Sequence, residues 1–148
     1  MPHFGLMDED ALGPVEGPLM RAKLHMRCGR RRLLEGKIPE AVITLYDVLS
    51  AAMEWYAAVP ERRNALRILE GDDLRDDRTL YGILTRSGIL DGAFDYDAFD
   101  RLTVQALNDE RPAYDYGRLL KGIEAILMQL GVMPFDESAL PPEDPSTF

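Results

Sequence analysis

The chain has 148 residues, 46% of them hydrophobic and 29% charged, with a net charge of −9. These figures suit one soluble globular domain with its own core, and the negative balance argues against general affinity for nucleic acid, whose phosphates need positive surface. The single cysteine, Cys28, excludes an intrachain disulfide, and two histidines, His3 and His25, leave too few ligands for a histidine-rich metal site.

Prolines divide the chain. Seven of the ten lie near the ends, and only Pro39, Pro60 and Pro112 interrupt the middle. Proline is tolerated in the first turn of a helix and breaks its interior, so the middle reads as long helices that start or break at these positions. An N-terminal arm, residues 1–17, leads into the first helix, which runs from about Val15 or Leu19 to Glu35. There Val15, Leu19, Ala22, Met26, Gly29 and Leu33 form one apolar stripe, and Gly36 is placed to cap the end. The second helix spans Pro39 to about Ala58. Its polar residues Glu40, Thr44, Asp47, Ser50 and Glu54 make a narrow seam on an otherwise apolar helix. Such a helix is central in a bundle, serves a subunit interface, or does both.

A shorter third helix is expected over Glu61–Glu70, followed by Gly71 and a charged loop from Asp72 to Arg78. A fourth covers about Arg78–Arg86, and Ser87-Gly88 and Asp91-Gly92 are turn signals. A fifth covers Asp95–Asn108 with Asp95 as N-cap, and the last runs from Tyr114 to Leu130, ended by Gly131. Gly117 and Gly122 are unfavourable inside that helix, which suggests close approach of a neighbouring element. No alternating strand pattern competes. Residues 134–148 are acidic and proline-rich and read as an extended or mobile tail, pinned if anything by a neighbouring subunit.

The fold expected is therefore all-α: an up-and-down bundle of four main helices plus short ones, forming a single domain over residues 1–148. The start, Met1–Asp10, lacks the basic and apolar segments of a signal peptide. The most apolar stretch, Ala41–Ala58, is interrupted by Asp47 and Glu54 and falls short of a membrane span. With an unpaired cysteine, the expected location is cytoplasmic, away from membrane.

Charge supplies the main functional candidate. Between Arg21 and Lys37 seven basic residues face one acid, Glu35, giving this segment +6 and the rest of the chain −15. On a helical wheel Lys23, Arg27, Arg30 and Arg31 share a face beside the apolar stripe. That face can dock RNA or another polyanion. Equally, its cations can favour the helix dipole or pair with the acidic remainder of the bundle. The carboxylate groups Asp72, Asp73, Asp76, Asp77 and Asp95, Asp97, Asp100 lack the spacing, glycine and closing glutamate of a calcium loop, so they read as caps and solvated charges. No metal or cofactor is expected. Trp55, Tyr56 and Tyr46 sit at helical spacing and read as core. Cys28 has neighbouring cations that can lower its pKa, but no base and orienting group for a thiol enzyme.

The stretch from Arg27 through Trp55, containing RRRLLEGKIPEAVITLYDVLSAAMEW, resembles the second-helix region of HEPN-type helical domains. The matching features are Gly36, Pro39, Glu40, Ala41 and the aromatic Tyr46, with LTRSGILDG (Leu84–Gly92) and the final helix suiting the same layout. The resemblance implies a helical bundle, often dimeric, that acts as a ribonuclease or pairs with a nucleotidyltransferase. Catalytic members carry an arginine followed a few residues later by histidine. Arg111 stands in the comparable place here, but Asp115 and Tyr116 follow it and no histidine does. Histidine is the natural group for proton transfer near neutral pH, so a degenerate motif is implied. The expected function is a non-catalytic helical interaction module, homodimeric through helix 39–58, with a possible protein partner. The alternatives are RNA or polyanion binding through residues 21–37, and a degenerate ribonuclease.

Overall fold

A computed structural model describes residues 8–148. The chain is an all-α helical bundle: α1 (Glu9–Leu34), α2 (Ile38–Ala58), α3 (Pro60–Asn64), α4 (Asp77–Arg86), α5 (Tyr96–Leu107) and α6 (Tyr116–Leu130). Two short 3₁₀ turns, Glu137–Ala139 and Pro145–Thr147, follow, and no strand occurs among the described residues. No helix is long and apolar enough to cross a membrane. His3 and the first seven residues of the expected arm lie outside the described residues.

The helix ends follow the local chemistry. Gly13, at φ +86°, breaks α1 just before Pro14, so the long helix proper starts where the sequence places it. Its preceding turn, capped by Asp8, makes residues 9–17 part of the helical element rather than an arm. At the other end Gly36 adopts φ +75°. Its N–H bonds Leu33 O and that of Lys37 bonds Arg32 O, a double closure that needs a left-handed residue at this point. Only Gly36 and its neighbours separate α1 from α2, so the two pack as an antiparallel pair.

Helix α2 is the centre of the bundle and packs against α1, α3, α4, α5 and α6. Val42, Leu45, Val48, Leu49, Ala51, Ala52 and Met53 are buried on its sides. The apolar surface that motivates a homodimer through residues 39–58 is therefore covered by helices of the same chain. From α5 and α6, Phe99, Leu102, Ile123 and Leu127 complete the core. Trp55 is buried under the Arg62 guanidinium, 4.3 Å from the ring centroid. Tyr46 packs on Phe99, and its hydroxyl lies 3.2 Å from that of Tyr96. These aromatics are core, as their spacing suggests.

The polar seam of α2 is used within the bundle. Thr44 donates to Glu40 O and accepts from Arg32 at 3.0 Å. Asp47 pairs with the fully buried His25 and lies 3.4 Å from Arg21 Nε. Ser50 donates to Asp77 at 2.9 Å, and Glu54 accepts from Arg21 at 3.0 Å. A third, Glu9, also holds Arg21, at 2.9 Å. The seam is thus a row of polar links from α2 to α1 and α4.

Two expectations need correction. The third helix stops at Asn64 instead of continuing to Glu70. Beyond it Leu66 turns into the core, and the Arg67 backbone bonds sideways, its N–H to Ser87 Oγ and its carbonyl to the Arg86 guanidinium. Tertiary partners thereby replace the helical ones. Of the two interior glycines of α6, only Gly122 marks a close approach, since a Cβ there would sit 2.8 Å from the Phe94 ring. Gly117 has open space, with only Asp115 Oδ1 at 3.6 Å.

Candidate functional site

The first-helix candidates Lys23, Arg27, Arg30 and Arg31 are brought together on one face of α1. That face is not open. After Val132, which is still core, the chain turns back and residues 134–148 lie along it. The tail is seated on its own α1.

The contacts run the length of the tail. The Lys23 ammonium lies 5.7 Å from the centre of the Phe135 ring. Arg30 is hydrogen-bonded to Glu137 and also faces Glu124 of α6 at 3.7 Å. Arg27 donates to Pro141 O at 2.7 Å. Arg31 stands 3.3 Å from Glu143 and donates to Thr147 O at 3.2 Å, with the Phe148 ring 4.8 Å from its guanidinium carbon. Arg32 adds a second donor to Thr147 O, at 3.1 Å. Arginine's planar fork suits this role, since one guanidinium serves a carboxylate and a carbonyl at once.

The tail's own geometry is set locally. Asp136 accepts from Ser138 N and Asp144 from Ser146 N, each at 2.9 Å, starting the two 3₁₀ turns. Those two acids are spent on capping, which leaves Glu137 and Glu143 to meet the arginines. Thr147 is the only buried residue of the segment.

Cys28 lies beneath this arrangement. It is fully buried, and Arg31 Nη2 donates to its Sγ at 3.4 Å. Burial raises its thiol above the ordinary value, Arg32 and Arg31 oppose that in part, and Glu143 adds to it. The thiol is thus held neutral, the opposite of an activated nucleophile. Of the two remaining bases of the segment, Arg21 points the other way, into the Asp47, Glu9 and Glu54 carboxylates, and Lys37 pairs with Glu35 at 3.2 Å.

The second set of candidates does not converge. Asp115 is the N-cap of α6 and accepts from Arg118 N at 3.0 Å. Tyr116 donates its hydroxyl proton to Pro112 O, and burial raises its phenol above the ordinary value. Arg111 is exposed. A nearby cavity of ≈300 Å³ is lined by Asp91, Phe94, Tyr114, Arg118, Lys121 and Gln129 among others, and none of the three reaches it. His25 is enclosed in the bundle beside Asp47.

The carboxylate runs behave as caps and ion-pair partners. Asp72 accepts from Leu69 N and Asp76 from Thr79 N, while Asp97 and Asp100 hold Arg78. No group of three or more potential metal ligands occurs among the described residues. Sequence reasoning missed Arg32 and the partners Glu137, Glu143 and Thr147. The available signal was complementary charge: residues 21–37 carry +6, and residues 134–148 hold four acids and no base. Comparison with protein-family models, with curated proteins and with solved structures returns no match to this chain.

Proposed function

We propose that this chain is a non-catalytic helical interaction module, HEPN-like in its layout, that recognises a partner through the basic face of α1. One observation carries the reading: Arg27, Arg30, Arg31 and Arg32 together grip a polypeptide segment by charge-assisted hydrogen bonds. Carbonyls, carboxylates and aromatic rings are all engaged, which is the chemistry of protein recognition rather than of phosphate neutralisation alone. The ribonuclease alternative has less support. Arg111, Asp115 and Tyr116 supply no group suited to proton exchange near neutral pH, because Asp115 is bound as a cap and the Tyr116 phenol is raised. The face is built by one chain, so this reading does not depend on a homodimer through residues 39–58. The unpaired thiol suits a cytoplasmic setting.

The test is incubation of the full-length protein with labelled mixed-sequence RNA at low salt, reading mobility shift and cleavage together. Neither is expected. Cleavage that is lost in Arg111→Ala would overturn the reading in favour of a ribonuclease. A salt-sensitive shift lost in Arg30→Glu/Arg31→Glu would replace it with polyanion binding.

A further inference from the structure

We infer that the partner of the α1 face is an acidic, proline-rich peptide with the chemistry of residues 134–148, and that this tail is the face's own stand-in, seated until a partner segment displaces it. The inference rests on the reading of α1 as a recognition surface and adds what that surface recognises.

The seated tail serves as a template. Reading from its N-terminal end, the face takes an aromatic ring beside Lys23, a carboxylate at Arg30, a carbonyl at Arg27, a second carboxylate at Arg31, and a carbonyl shared by Arg31 and Arg32, with a final ring over Arg31. Carbonyl acceptance is a property of the backbone, one carbonyl standing at Pro141 and the other in the Pro145–Thr147 turn, so it does not restrict side chains. The two carboxylates do restrict it, since Glu137 and Glu143 are the tail's only acids that meet the basic face while Asp136 and Asp144 serve the turns. The prolines of the tail limit the conformations a free segment must give up, which favours its binding.

The seat is also built to be released. The hydrophobic core closes at Val132, and beyond Phe135 the tail adds no residue to it. Its hold is made of partly exposed ion pairs, hydrogen bonds to two carbonyls and two cation–ring contacts, with Thr147 alone buried, a set of contacts that opens locally without unfolding the rest. A tethered segment nevertheless competes at an effective concentration of roughly millimolar, so an outside peptide meets a nearly closed face in the native chain.

The experiment uses full-length protein and a fluorescein-labelled peptide of residues 134–148 as the probe, read by anisotropy at low salt. The variant Glu137→Lys/Glu143→Lys weakens the chain's own tail at partly exposed positions, and circular dichroism checks that its helices are intact. Opening is read by the rate at which Cys28 reacts with a thiol reagent, compared in the high-pH plateau where the thiol's own ionisation, which Glu143 also affects, no longer enters. The variant is expected to bind the peptide at least about tenfold more tightly than the native chain, with faster Cys28 reaction, and binding weakens as salt rises. A peptide carrying the same two lysines is expected not to bind.

A folded variant with reactive Cys28 that binds no peptide would overturn the inference while leaving the interaction-module reading in place. So would a variant that binds mixed-sequence RNA in preference to the peptide. A variant whose Cys28 stays as shielded as in the native chain would contradict it as well, because the carboxylates would then not hold the tail. RNA cleavage by the native chain, by contrast, would remove the underlying reading itself.

Discussion

Replacing Asp47 by asparagine tests whether the polar seam of α2 holds α1 in place. The Asp47 carboxylate is 14% exposed, lies 3.4 Å from Arg21 Nε and pairs with a His25 that is wholly enclosed. Burial works against the Arg21 charge, and Asp47, Glu9 and Glu54 outweigh it, so the guanidinium is held above its ordinary value. Asparagine keeps the shape and one acceptor but removes the charge. Breaking a buried pair by removing one partner costs about 3–5 kcal/mol when the other charge is left uncompensated. Here Arg21 keeps Glu9 at 2.9 Å and Glu54 at 3.0 Å, and the cluster is not fully dry, so a loss of about 2 kcal/mol is expected. In a chain of this length that lowers Tm by about 6 °C. Urea unfolding followed by circular dichroism measures it, with Glu54→Gln, at a half-exposed position, as a control expected to cost less than about 0.5 kcal/mol. The double variant Arg21→Met/Asp47→Leu is expected to be less damaging than the sum of its single changes, since the link between Arg21 and Asp47 is lost in each single change and counted twice in their sum. A loss below about 0.5 kcal/mol in Asp47→Asn would refute the argument, because it would mean the seam links contribute no more than surface pairs.

Two further predictions come from the bundle. Burial raises the Asp77 carboxyl above its ordinary value, although the Ser50 hydroxyl opposes that. The folded state therefore favours the protonated form; this group's stabilising contribution is full in acid, below the unfolded pKa, and is lost as pH rises through the folded one. Asp77→Asn is accordingly expected to be neutral or stabilising by less than about 1 kcal/mol at pH 7, with the gain vanishing in acid; a clear loss at pH 7 in urea titrations would count against it. The two glycines of α6 are expected to part company. Gly117→Ala, in open space, raises stability by about 0.5 kcal/mol, whereas Gly122→Ala loses about 1 kcal/mol net, because the Phe94 ring 2.8 Å from the new Cβ makes an overpacking penalty larger than the propensity gain. Equal effects on Tm would contradict the close approach.

Local chemistry made much of the bundle legible. Pro39 with Gly36 before it, Asp95 as a cap and Gly131 after the last apolar stripe mark helix ends that depend only on neighbouring residues. The seam Glu40, Thr44, Asp47, Ser50, Glu54 was visible too, because helical periodicity reports a face. What periodicity cannot report is who covers that face. The apolar sides of α2 read equally as a subunit interface or an interior, and five helices of the same chain fill them. The third helix was overextended because nothing local to Ala65–Glu70 reveals that the Arg67 backbone finds Ser87 and Arg86.

The candidate surface divides the same way. The basic face of α1 followed from spacing alone, and its four residues do share one face. Its occupant did not, since Glu137, Pro141, Glu143 and Thr147 lie more than a hundred residues away in sequence. Charge complementarity pointed to the pairing without fixing it, because the acids of the tail compete with many others in a chain of net charge −9. Asp115 illustrates the converse. A residue read as part of a degenerate motif is explained by the four backbone N–H groups that every helix start leaves unpaired.

The central claim is that the tail closes the basic face of α1, and Cys28 reports on it directly, being the chain's one thiol and lying under Arg31. The measurement is its rate of reaction with a neutral thiol reagent in the native protein as salt is raised at fixed pH. Slow modification at low salt, accelerating severalfold as the ion pairs are screened while helix content stays constant, is the predicted result. Modification as fast as in urea-unfolded chain at every salt concentration would contradict the claim, because the thiol would then be open whatever the tail does.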